Sequence, residues 1–407
     1  MEQPPGFVQL DAIGKPLVCE LKKALYGLKQ APRAWFVKLS SYLKNLGFIS
    51  ARADSCLFVN KSDDAITYML VYVDDLVITG SNEAVVQSLI SKMSTEFSLK
   101  DLGELSYFLG IEFHRSSRGI HLTQKKYIHN LLSKTKMLEA HSYATPMAVN
   151  IQLFANDSLP FTDPRLYRSM VGSLQYLCYT RSDIAFTVNK LSQFLQEPTI
   201  KQWECVQRLL RYLNGTSSHG LLIKPVQQFN IQSYTDSDWG GTKTKKNKNE
   251  EVEIIPENKR STSGYCIYLG ANPIMWVSRK QQVVSRSATE AEYRSVADSI
   301  TDLMWVLSLL KEMYIDVVKT PCIWCDNIGT VALASNLVLH SKTKHVELDV
   351  HFIREKVAAG IVTVGYVPSS YQVADILTKP QVYSMFAYCR AKLNIISQDE
   401  VHNGEAR

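Results

Sequence analysis

Two neighbouring hydrophobic runs in the first quarter of the chain predict a β-hairpin. Residues 66–73 read ITYMLVYV and residues 76–79 read LVIT, and both runs are rich in β-branched and aromatic residues. Asp74 and Asp75 stand at the junction, and a buried carboxylate without a partner is strongly disfavoured. The pattern therefore predicts that both aspartates lie at the exposed tip of the hairpin, where two carboxylates suit a hard cation. An ordinary Asp-Asp turn also accounts for these residues.

Helical spacing predicts several amphipathic helices. In the segment that begins at Pro32, apolar residues recur at spacings of three and four: Trp35, Leu39, Tyr42, Leu43 and Leu46. Residues 116–228 are predicted to be mostly helical, with amphipathic segments at 125–138, 184–195 and 203–213. Four basic residues of this part are predicted to contact nucleic-acid phosphates: Lys125, Lys126, Arg208 and Arg211. The proline-containing stretch 145–164 is either a hinge between domains or an ordinary surface loop.

Residues 229–380 have a pattern of their own. The predicted order is strands at 231–239, 264–269 and 274–277, a helix at 288–313, a strand at 322–325, helices at 330–336 and 345–359, a strand at 361–367 and a last helix through 374. This order predicts a mixed sheet with an antiparallel edge and with helices packed on it. The fold class is therefore α/β and α+β, with more than one domain.

Composition narrows the class of protein. A chain of 407 residues suggests roughly two or three domains. Its 45% hydrophobic and 21% charged content is that of a globular protein, and its net charge of +6 permits nucleic-acid binding without requiring it. The eight cysteines are scattered, which favours free thiols in a reducing compartment. No apolar run approaches the ~20 residues that span a bilayer, and the acidic, proline-rich start is unlike a signal peptide.

Several stretches carry a resemblance to a known family. Tyr72-Val73-Asp74-Asp75 resembles the YxDD motif of reverse transcriptases. Other stretches are similar to the Pol polyprotein of copia-type LTR retrotransposons: MEQPPGF at 1–7, LYGLKQAPRAW at 25–35, KDLGE at 100–104, FLGIE at 108–112 and YRSMVGSL at 167–174. The resemblance runs from Met1 to about Lys379. Several long stretches in one order make it specific.

The resemblance implies a domain order and a polymerase site. It implies a partial reverse-transcriptase palm at 1–115, a thumb and connection region at 116–228, an RNase H-like domain at 229–385 and a C-terminal tail at 386–407. Asp74 and Asp75 would be catalytic metal ligands of the palm. Tyr26, Gly27 and Lys29 would contact the incoming nucleotide, although a lone lysine is usually only solvated.

The resemblance also implies a second, hydrolytic site that cleaves RNA in RNA–DNA hybrids. Four acids match the RNase H set by motif and order: Asp236, Glu292, Asp326 and Asp375. Asp238 is a rival to Asp236 because it lies two residues along the same strand. Glu290 is a rival to Glu292, but only one of the two can face the site because they lie on different sides of a helix. The family match favours Asp236 over Asp238. Glu292 is favoured over Glu290 because it lies on the same helix face as Val296 and the other apolar core positions of that helix.

Two departures from the family pattern shape the functional hypothesis. The family carries a further catalytic aspartate upstream of the MEQPPGF stretch, and this sequence starts with that stretch. Without this third metal ligand, we expect Asp74 and Asp75 to be idle in this chain. The Lys-rich and Glu-rich segment 241–258 separates two elements that the family joins by a shorter turn, and we expect a solvated loop there.

The hypothesis is a fragment of a retrotransposon reverse transcriptase and RNase H. It would use Mg2+, or Mn2+, and would act on RNA–DNA hybrid, template RNA and primer DNA in the cytoplasm, a virus-like particle or the nucleus. The alternatives are an inert or domesticated remnant that binds nucleic acid, and a polymerase that is completed by another chain.

Overall fold

The computed structural model describes residues 1–22, 25, 27–239, 259–335 and 347–403. The predicted loop at 241–258 lies outside the described residues. The chain divides into two compact units, the first comprising residues 1–103 and 308–315 and the second comprising residues 104–307 and 316–407. The division at Gly103 places the 145–164 stretch inside the second unit. Met147 and Leu153 of that stretch are buried in the core of the unit, which favours a packed loop over a hinge.

The described residues form fourteen strands. They are β1 (Ile49–Ser50), β2 (Leu57–Lys61), β3 (Ile66–Tyr72), β4 (Asp75–Gly80), β5 (Tyr107–Phe108), β6 (Ile111–Ser116), β7 (Gly119–Thr123), β8 (His219–Ile223), β9 (Ile231–Asp238), β10 (Thr262–Leu269), β11 (Asn272–Lys280), β12 (Cys322–Cys325), β13 (Thr363–Tyr366) and β14 (Ile395–Ser397).

Eleven α-helices are found in the same residues. They are α1 (Ala31–Asn45), α2 (Glu83–Phe97), α3 (Lys125–Lys134), α4 (Pro164–Leu177), α5 (Ala185–Ser192), α6 (Ile200–Gly215), α7 (Ala288–Glu312), α8 (Ile328–Ser335), α9 (Glu347–Ala358), α10 (Tyr383–Lys392) and α11 (Gln398–Asn403). Three short 3-10 helices also occur, at Ser182–Ile184, Ser369–Tyr371 and Val373–Leu377. No helix in the described part of the chain is long and apolar enough to cross a bilayer.

The first unit is an antiparallel sheet with the order β1-β2-β3-β4, covered by α1 and α2. Every second residue of β3 is buried, as alternation across a half-buried strand requires. Met69 of β3 packs with Leu39 and Leu43 of α1 and with Met93 of α2. The predicted hairpin and helix are therefore both present.

The second unit contains a sheet that the sequence analysis did not predict. Its strand order is β14-β8-β7-β6-β5, and its neighbouring strands are antiparallel. The prediction that residues 116–228 are mostly helical was therefore incomplete. The predicted C-terminal tail also contributes to this sheet, because Ile395 of β14 pairs with Leu221 of β8.

The other sheet of the second unit has the order β11-β10-β9-β12-β13. Strands β11, β10 and β9 are antiparallel neighbours, whereas β12 pairs in parallel with both β9 and β13. This is the predicted mixed sheet with an antiparallel edge. Cys266 of β10 is buried in a core that also contains residues of α4, α5 and α6. The neighbouring Tyr265 points to the opposite face of the sheet, where it donates its hydroxyl to Asp302 of α7. Helices therefore pack on both faces of this sheet.

Candidate active site

The four predicted RNase H acids lie on four separate elements. Asp236 lies on β9 and Glu292 on α7, while Asp326 follows β12 directly and Asp375 lies in the 3-10 helix Val373–Leu377. The last element was predicted to be an ordinary helix. Carboxylate oxygens of Asp236, Asp326 and Asp375 all lie within 4.8 Å of one another, and one oxygen each of Glu292 and Asp326 lies within the same limit. The structure thus brings all four acids together.

The parallel pairing of β9 and β12 explains why two of these acids meet. Thr235 is in register with Cys325, so the next residue of each strand, Asp236 or Asp326, emerges at the same edge of the sheet. Carboxyl ends of parallel strands are a common position for ligand sites in α/β sheets. Helix α7 is tied to this edge by Ser295, whose Oγ donates to the carbonyl oxygen of Asp236 at 2.9 Å.

Close backbone packing brings Asp375 to the same place. Gly264 of β10 has no side chain, and a Cβ there would lie 2.5 Å from Cγ2 of Thr378 and 2.9 Å from Cβ of Leu377. The glycine therefore allows the Asp375 segment to approach the sheet. Gln372 fixes the start of that segment, because its Nε2 donates to the carbonyl oxygen of Thr235 at 2.9 Å.

Polar neighbours orient the carboxylates. The backbone N–H of Ser237 donates to Oε1 of Glu292 at 3.2 Å, and Ser369 Oγ donates to Oδ2 of Asp326 at 2.7 Å. Thr378 donates its hydroxyl to Oδ2 of Asp236. These hydrogen bonds hold acceptor oxygens in place, and such support is needed where geometry determines ligand binding.

A lysine also lies in the cluster. Nζ of Lys379 is 2.8 Å from Oδ1 of Asp375 and 3.4 Å from Oδ2 of Asp236. The Lys379 side chain keeps 43% of its exposure, whereas the Asp236 and Asp375 side chains keep 3% and 10%. The sequence analysis did not identify this residue. Its position four residues after Asp375 is the one local signal that could have done so.

Burial and mutual repulsion raise the pKa values of three acids. The pKa of Glu292 is raised by burial and by the carboxylates of Asp236 and Asp326. Burial and the Asp236 carboxylate raise the pKa of Asp375, and burial also raises the pKa of Asp326. Burial would lower the pKa of Lys379, but Asp236 and Asp375 outweigh that effect and raise it above its ordinary value. Close carboxylates of this kind are stabilised in their ionised form by a cation.

The two rival acids have other partners. Glu290 is hydrogen-bonded to the residues before α7: Ser287 Oγ accepts the N–H of Glu290, and Oε2 of Glu290 accepts the N–H of Arg286 at 2.8 Å. Its other oxygen, Oε1, is paired with Arg294 at 2.9 Å. Asp238 accepts the backbone N–H of Thr262, and neither rival belongs to a metal-compatible group in the described part of the chain.

The donor set of the cluster fits a hard divalent cation. Four carboxylates offer oxygen ligands, which Mg2+ and Mn2+ prefer. Cys325 is also close, with its Sγ 3.8 Å from Oε2 of Glu292. Burial and the Glu292 carboxylate raise the pKa of this thiol, and its S–H donates to Oε2 of Glu292.

The polymerase-like residues lie in the first unit. Asp74 and Asp75 are exposed at the turn between β3 and β4, where Tyr72 pairs with Asp75. The turn residue Val73 has φ 53°, a left-handed conformation that β-branched residues rarely adopt. Within the described residues, neither aspartate belongs to a group of three possible metal ligands.

The predicted nucleotide contacts are only partly described. Tyr26 lies outside the described residues. Gly27 has φ 91°, a conformation that favours glycine, and Lys29 is exposed.

The predicted phosphate contacts are of two kinds. Lys125 and Lys126 are exposed at the start of α3. Arg208 and Arg211 are half-buried, and their guanidinium carbons lie 4.3 and 5.7 Å from the ring centroid of Tyr143. The two lysines are therefore the freer candidates for a nucleic-acid surface.

Comparison with known proteins connects both units with transposon proteins. Residues 1–149 match the family model described as reverse transcriptase (RNA-dependent DNA polymerase). The chain is 45% identical over 395 residues to the retrovirus-related Pol polyprotein from transposon RE1 of Arabidopsis thaliana. The matched region covers 97% of this chain and 26% of that protein. It is 32% identical over 306 residues to a putative transposon Ty5-1 protein of Saccharomyces cerevisiae, covering 74% of this chain and 94% of that protein. The chain thus spans about a quarter of the length of the Arabidopsis relative.

A solved structure is also similar. It is the structure of the foamy viral protease-reverse transcriptase in complex with RNA/DNA hybrid, and the matched region covers 85% of this chain and 39% of the viral chain. The identity is 12% and the TM-score is 0.43.

Proposed function

The chain belongs to the Pol polyproteins of copia-type LTR retrotransposons, and we propose that its second unit hydrolyses the RNA strand of RNA–DNA hybrids. The family is one of reverse transcriptases, so the chain is an enzyme by family. Because the chain covers about a quarter of the Arabidopsis relative, the activities of the whole polyprotein are also proposals for this chain.

The convergence of four carboxylates from distant parts of the chain is the observation that supports this function best. Asp236, Asp326 and Asp375 have oxygens within 4.8 Å of one another, and Glu292 joins them through Asp326. Like charges at such distances oppose folding unless a cation or a proton compensates them. An arrangement with this cost is more readily explained by metal-dependent chemistry than by stability.

The four acids would act together as metal ligands in the proposed reaction. Asp236, Asp326 and Asp375 would hold Mg2+, or Mn2+, and Glu292 would complete the ligand set. When bound, the metal would lower the pKa of a water molecule and stabilise the charge on the phosphate. The water oxygen would form a bond to phosphorus, one bridging P–O bond would break, and the proton lost by the water would end on the leaving oxygen, so no oxidant or further reactant is needed. Ser369 and Thr378 would keep Asp326 and Asp236 in position.

The family implies a part in polymerisation for the first unit. Asp74 and Asp75 would supply two metal ligands, and Gly27 and Lys29 with Tyr26 would face the incoming nucleotide. Two exposed carboxylates hold a metal less firmly than a buried cluster of four, so hybrid cleavage is the activity that the residues of this chain support better.

The test is cleavage of a labelled RNA–DNA hybrid by the purified chain with millimolar Mg2+. We expect cleavage by the wild-type chain and none by Asp326→Asn, because an amide is a poor substitute for a carboxylate ligand. Asp298→Asn, on α7 but outside the cluster, is the control and should cleave normally.

The competing proposal is a remnant that only binds nucleic acid. The exposed Lys125 and Lys126 favour it, since phosphate contacts need no catalytic cluster. An intact hybrid after incubation with wild-type protein, combined with salt-sensitive binding of that hybrid, would establish the remnant and reject the hydrolase.

A further inference from the structure

We infer that Lys379 is an internal counter-ion that competes with a divalent metal for the Asp236–Asp375 pair. The inference rests on the proposed function, because it assigns a role to a residue within the same site. Lys379 would set the metal concentration at which the carboxylate cluster binds the divalent cation.

The contacts of Lys379 are those that a metal ion would make. Its ammonium is 2.8 Å from Oδ1 of Asp375 and 3.4 Å from Oδ2 of Asp236. The same two residues share a metal-compatible group with Asp326, whose Oδ2 instead accepts a hydrogen bond from the hydroxyl of Ser369. One ammonium therefore bridges two of the three carboxylates that would bind the cation.

The charges make binding of both cations at this pair unfavourable. Two positive charges separated by a few ångströms repel one another, and a divalent ion doubles the effect. The Lys379 side chain is 43% exposed, so its ammonium can move into solvent when a metal binds. A compact ammonium on a four-carbon stem is well suited to such a movement.

A purely structural ion pair would behave differently. If Lys379 only anchors the Val373–Leu377 segment, its removal should disturb Asp375 and weaken metal binding. If Lys379 competes with the metal, its removal should strengthen metal binding while it destabilises the metal-free protein. The two roles therefore predict opposite changes in affinity.

The chain offers a matched control in a second pair of a lysine and a buried aspartate. Nζ of Lys201 is 3.2 Å from Oδ2 of Asp157, and the two side chains are 36% and 5% exposed. These values resemble those of Lys379 with Asp236. Neither Lys201 nor Asp157 belongs to a metal-compatible group within the described residues.

The experiment is calorimetric titration of MgCl2 into the full chain, with thermal unfolding measured with and without the metal. We expect Lys379→Met to bind Mg2+ about tenfold more tightly than the wild type, since a charge a few ångströms from the metal is removed. Its metal-free form should unfold at a lower temperature, and saturating Mg2+ should remove that difference. Lys379→Arg keeps the charge and should retain the wild-type affinity.

The controls separate the two levels of the proposal. Lys201→Met should keep the wild-type Mg2+ affinity, with a loss of stability that Mg2+ does not restore. Asp326→Asn should lose Mg2+ binding, which locates the titrated site. Absence of Mg2+ binding by the wild type and by Lys379→Met would overturn the proposed function together with the inference. Unchanged or weaker binding by Lys379→Met, with wild-type binding intact, would overturn the inference alone.

Discussion

The indole Nε1 of Trp35 donates a hydrogen bond of 2.7 Å to the carbonyl oxygen of Val73. Val73 is the turn residue with φ 53°, directly before Asp74 and Asp75. A β-branched residue in this conformation costs about 1–3 kcal/mol, so the turn requires support from its surroundings. The rings of Trp35 and Phe97 of α2 pack in a T-shaped arrangement, with ring centroids 5.2 Å apart, and this contact fixes the indole that supports the turn.

Trp35→Phe should loosen the aspartate turn while leaving the first unit folded. Phenylalanine retains an aromatic ring but has no N–H, so the Val73 carbonyl oxygen loses its donor at a cost of about 1 kcal/mol. Amide hydrogen exchange should accelerate at residues 72–76 and remain unchanged in α2. Val73→Gly should relieve the backbone strain of the turn, because glycine adopts positive φ readily. Unaltered exchange at the turn in Trp35→Phe would show that the hydrogen bond does not support it.

The two neighbouring glutamates of α7 should separate stability from cleavage. Glu290→Ala removes the hydrogen bond from the Arg286 N–H and the ion pair with Arg294, and should lower the free energy of unfolding by about 1 kcal/mol while cleavage continues. Glu292→Gln removes a carboxylate that its neighbours repel, so it should abolish cleavage without a loss of stability. Urea unfolding and the hybrid assay measure the two effects. The reverse pattern would make Glu290 the ligand.

A buried ion pair lies in the connection region, residues 116–228. Arg181 binds both oxygens of Asp183, with its Nε at 3.0 Å from Oδ1 and its Nη2 at 2.9 Å from Oδ2, and neither side chain is exposed. Tyr212 donates its hydroxyl to Oδ2 of Asp183, and Nη1 of Arg181 donates to the carbonyl oxygen of Thr216 at 2.8 Å. All hydrogen-bond partners lie within the second unit.

Arg181→Met should lower the free energy of unfolding by about 3–5 kcal/mol, because it leaves the Asp183 carboxylate buried without its cation. The double variant Arg181→Met with Asp183→Leu should recover much of this loss, since it buries no charge. Chemical denaturation of the three proteins measures both effects. A double variant no more stable than Arg181→Met would mean that packing and hydrogen bonds, and not the isolated charge, account for the loss.

Protonation of His219 should oppose folding of the second unit increasingly as the pH falls from about 6.5 to about 4. Burial, together with the positive charges of Arg181 and Arg390, lowers the pKa of His219 to about 4, whereas Asp183 and Glu400 oppose the shift. The unfolded chain binds a proton at the ordinary histidine pKa of about 6.5, so protons favour unfolding throughout this interval. The stabilising effect of neutral His219 is thus complete above about 6.5.

His219→Asn should remove this part of the pH dependence. The His219 side chain is partly exposed and solvent screens its charge, so we expect His219 to contribute about 1 kcal/mol to the pH dependence of the free energy of unfolding. Urea midpoints measured at pH 7 and pH 4 give the comparison, with His129→Asn on the exposed side of α3 as the control. An equal change in stability between pH 7 and pH 4 in wild type and His219→Asn would assign the pH dependence to other groups.

Local patterns were sufficient for much of the fold. The alternation in residues 66–73 predicted the hairpin of β3 and β4, and the spacing of apolar residues after Pro32 predicted α1. In the second unit, the order of strands and helices predicted the mixed sheet. These predictions succeeded because periodicity along a strand or helix reflects which of its faces is buried.

The sheet containing β5, β6, β7, β8 and β14 could not be predicted in this way. Its strands are short, two to six residues each, and β8 pairs with β14 from the far end of the chain. Short segments carry little periodicity, and pairing between distant segments is not encoded in either of them alone. The type of the helix that contains Asp375, which is a 3-10 helix at Val373–Leu377, could not be predicted for the same reason.

The sequence by itself determined the chemistry available to the candidate site: the four acids, their order and the elements that carry them. Only the tertiary structure decided which atoms meet. Glu290 was brought into hydrogen bonds with the residues before α7 by the fold of that loop, and Lys379 was brought to Asp236 by the packing of Gly264 against the segment that contains Thr378. Residue types determine which charges exist, but their interaction energies depend on distance and burial, and these arise only when distant segments pack together.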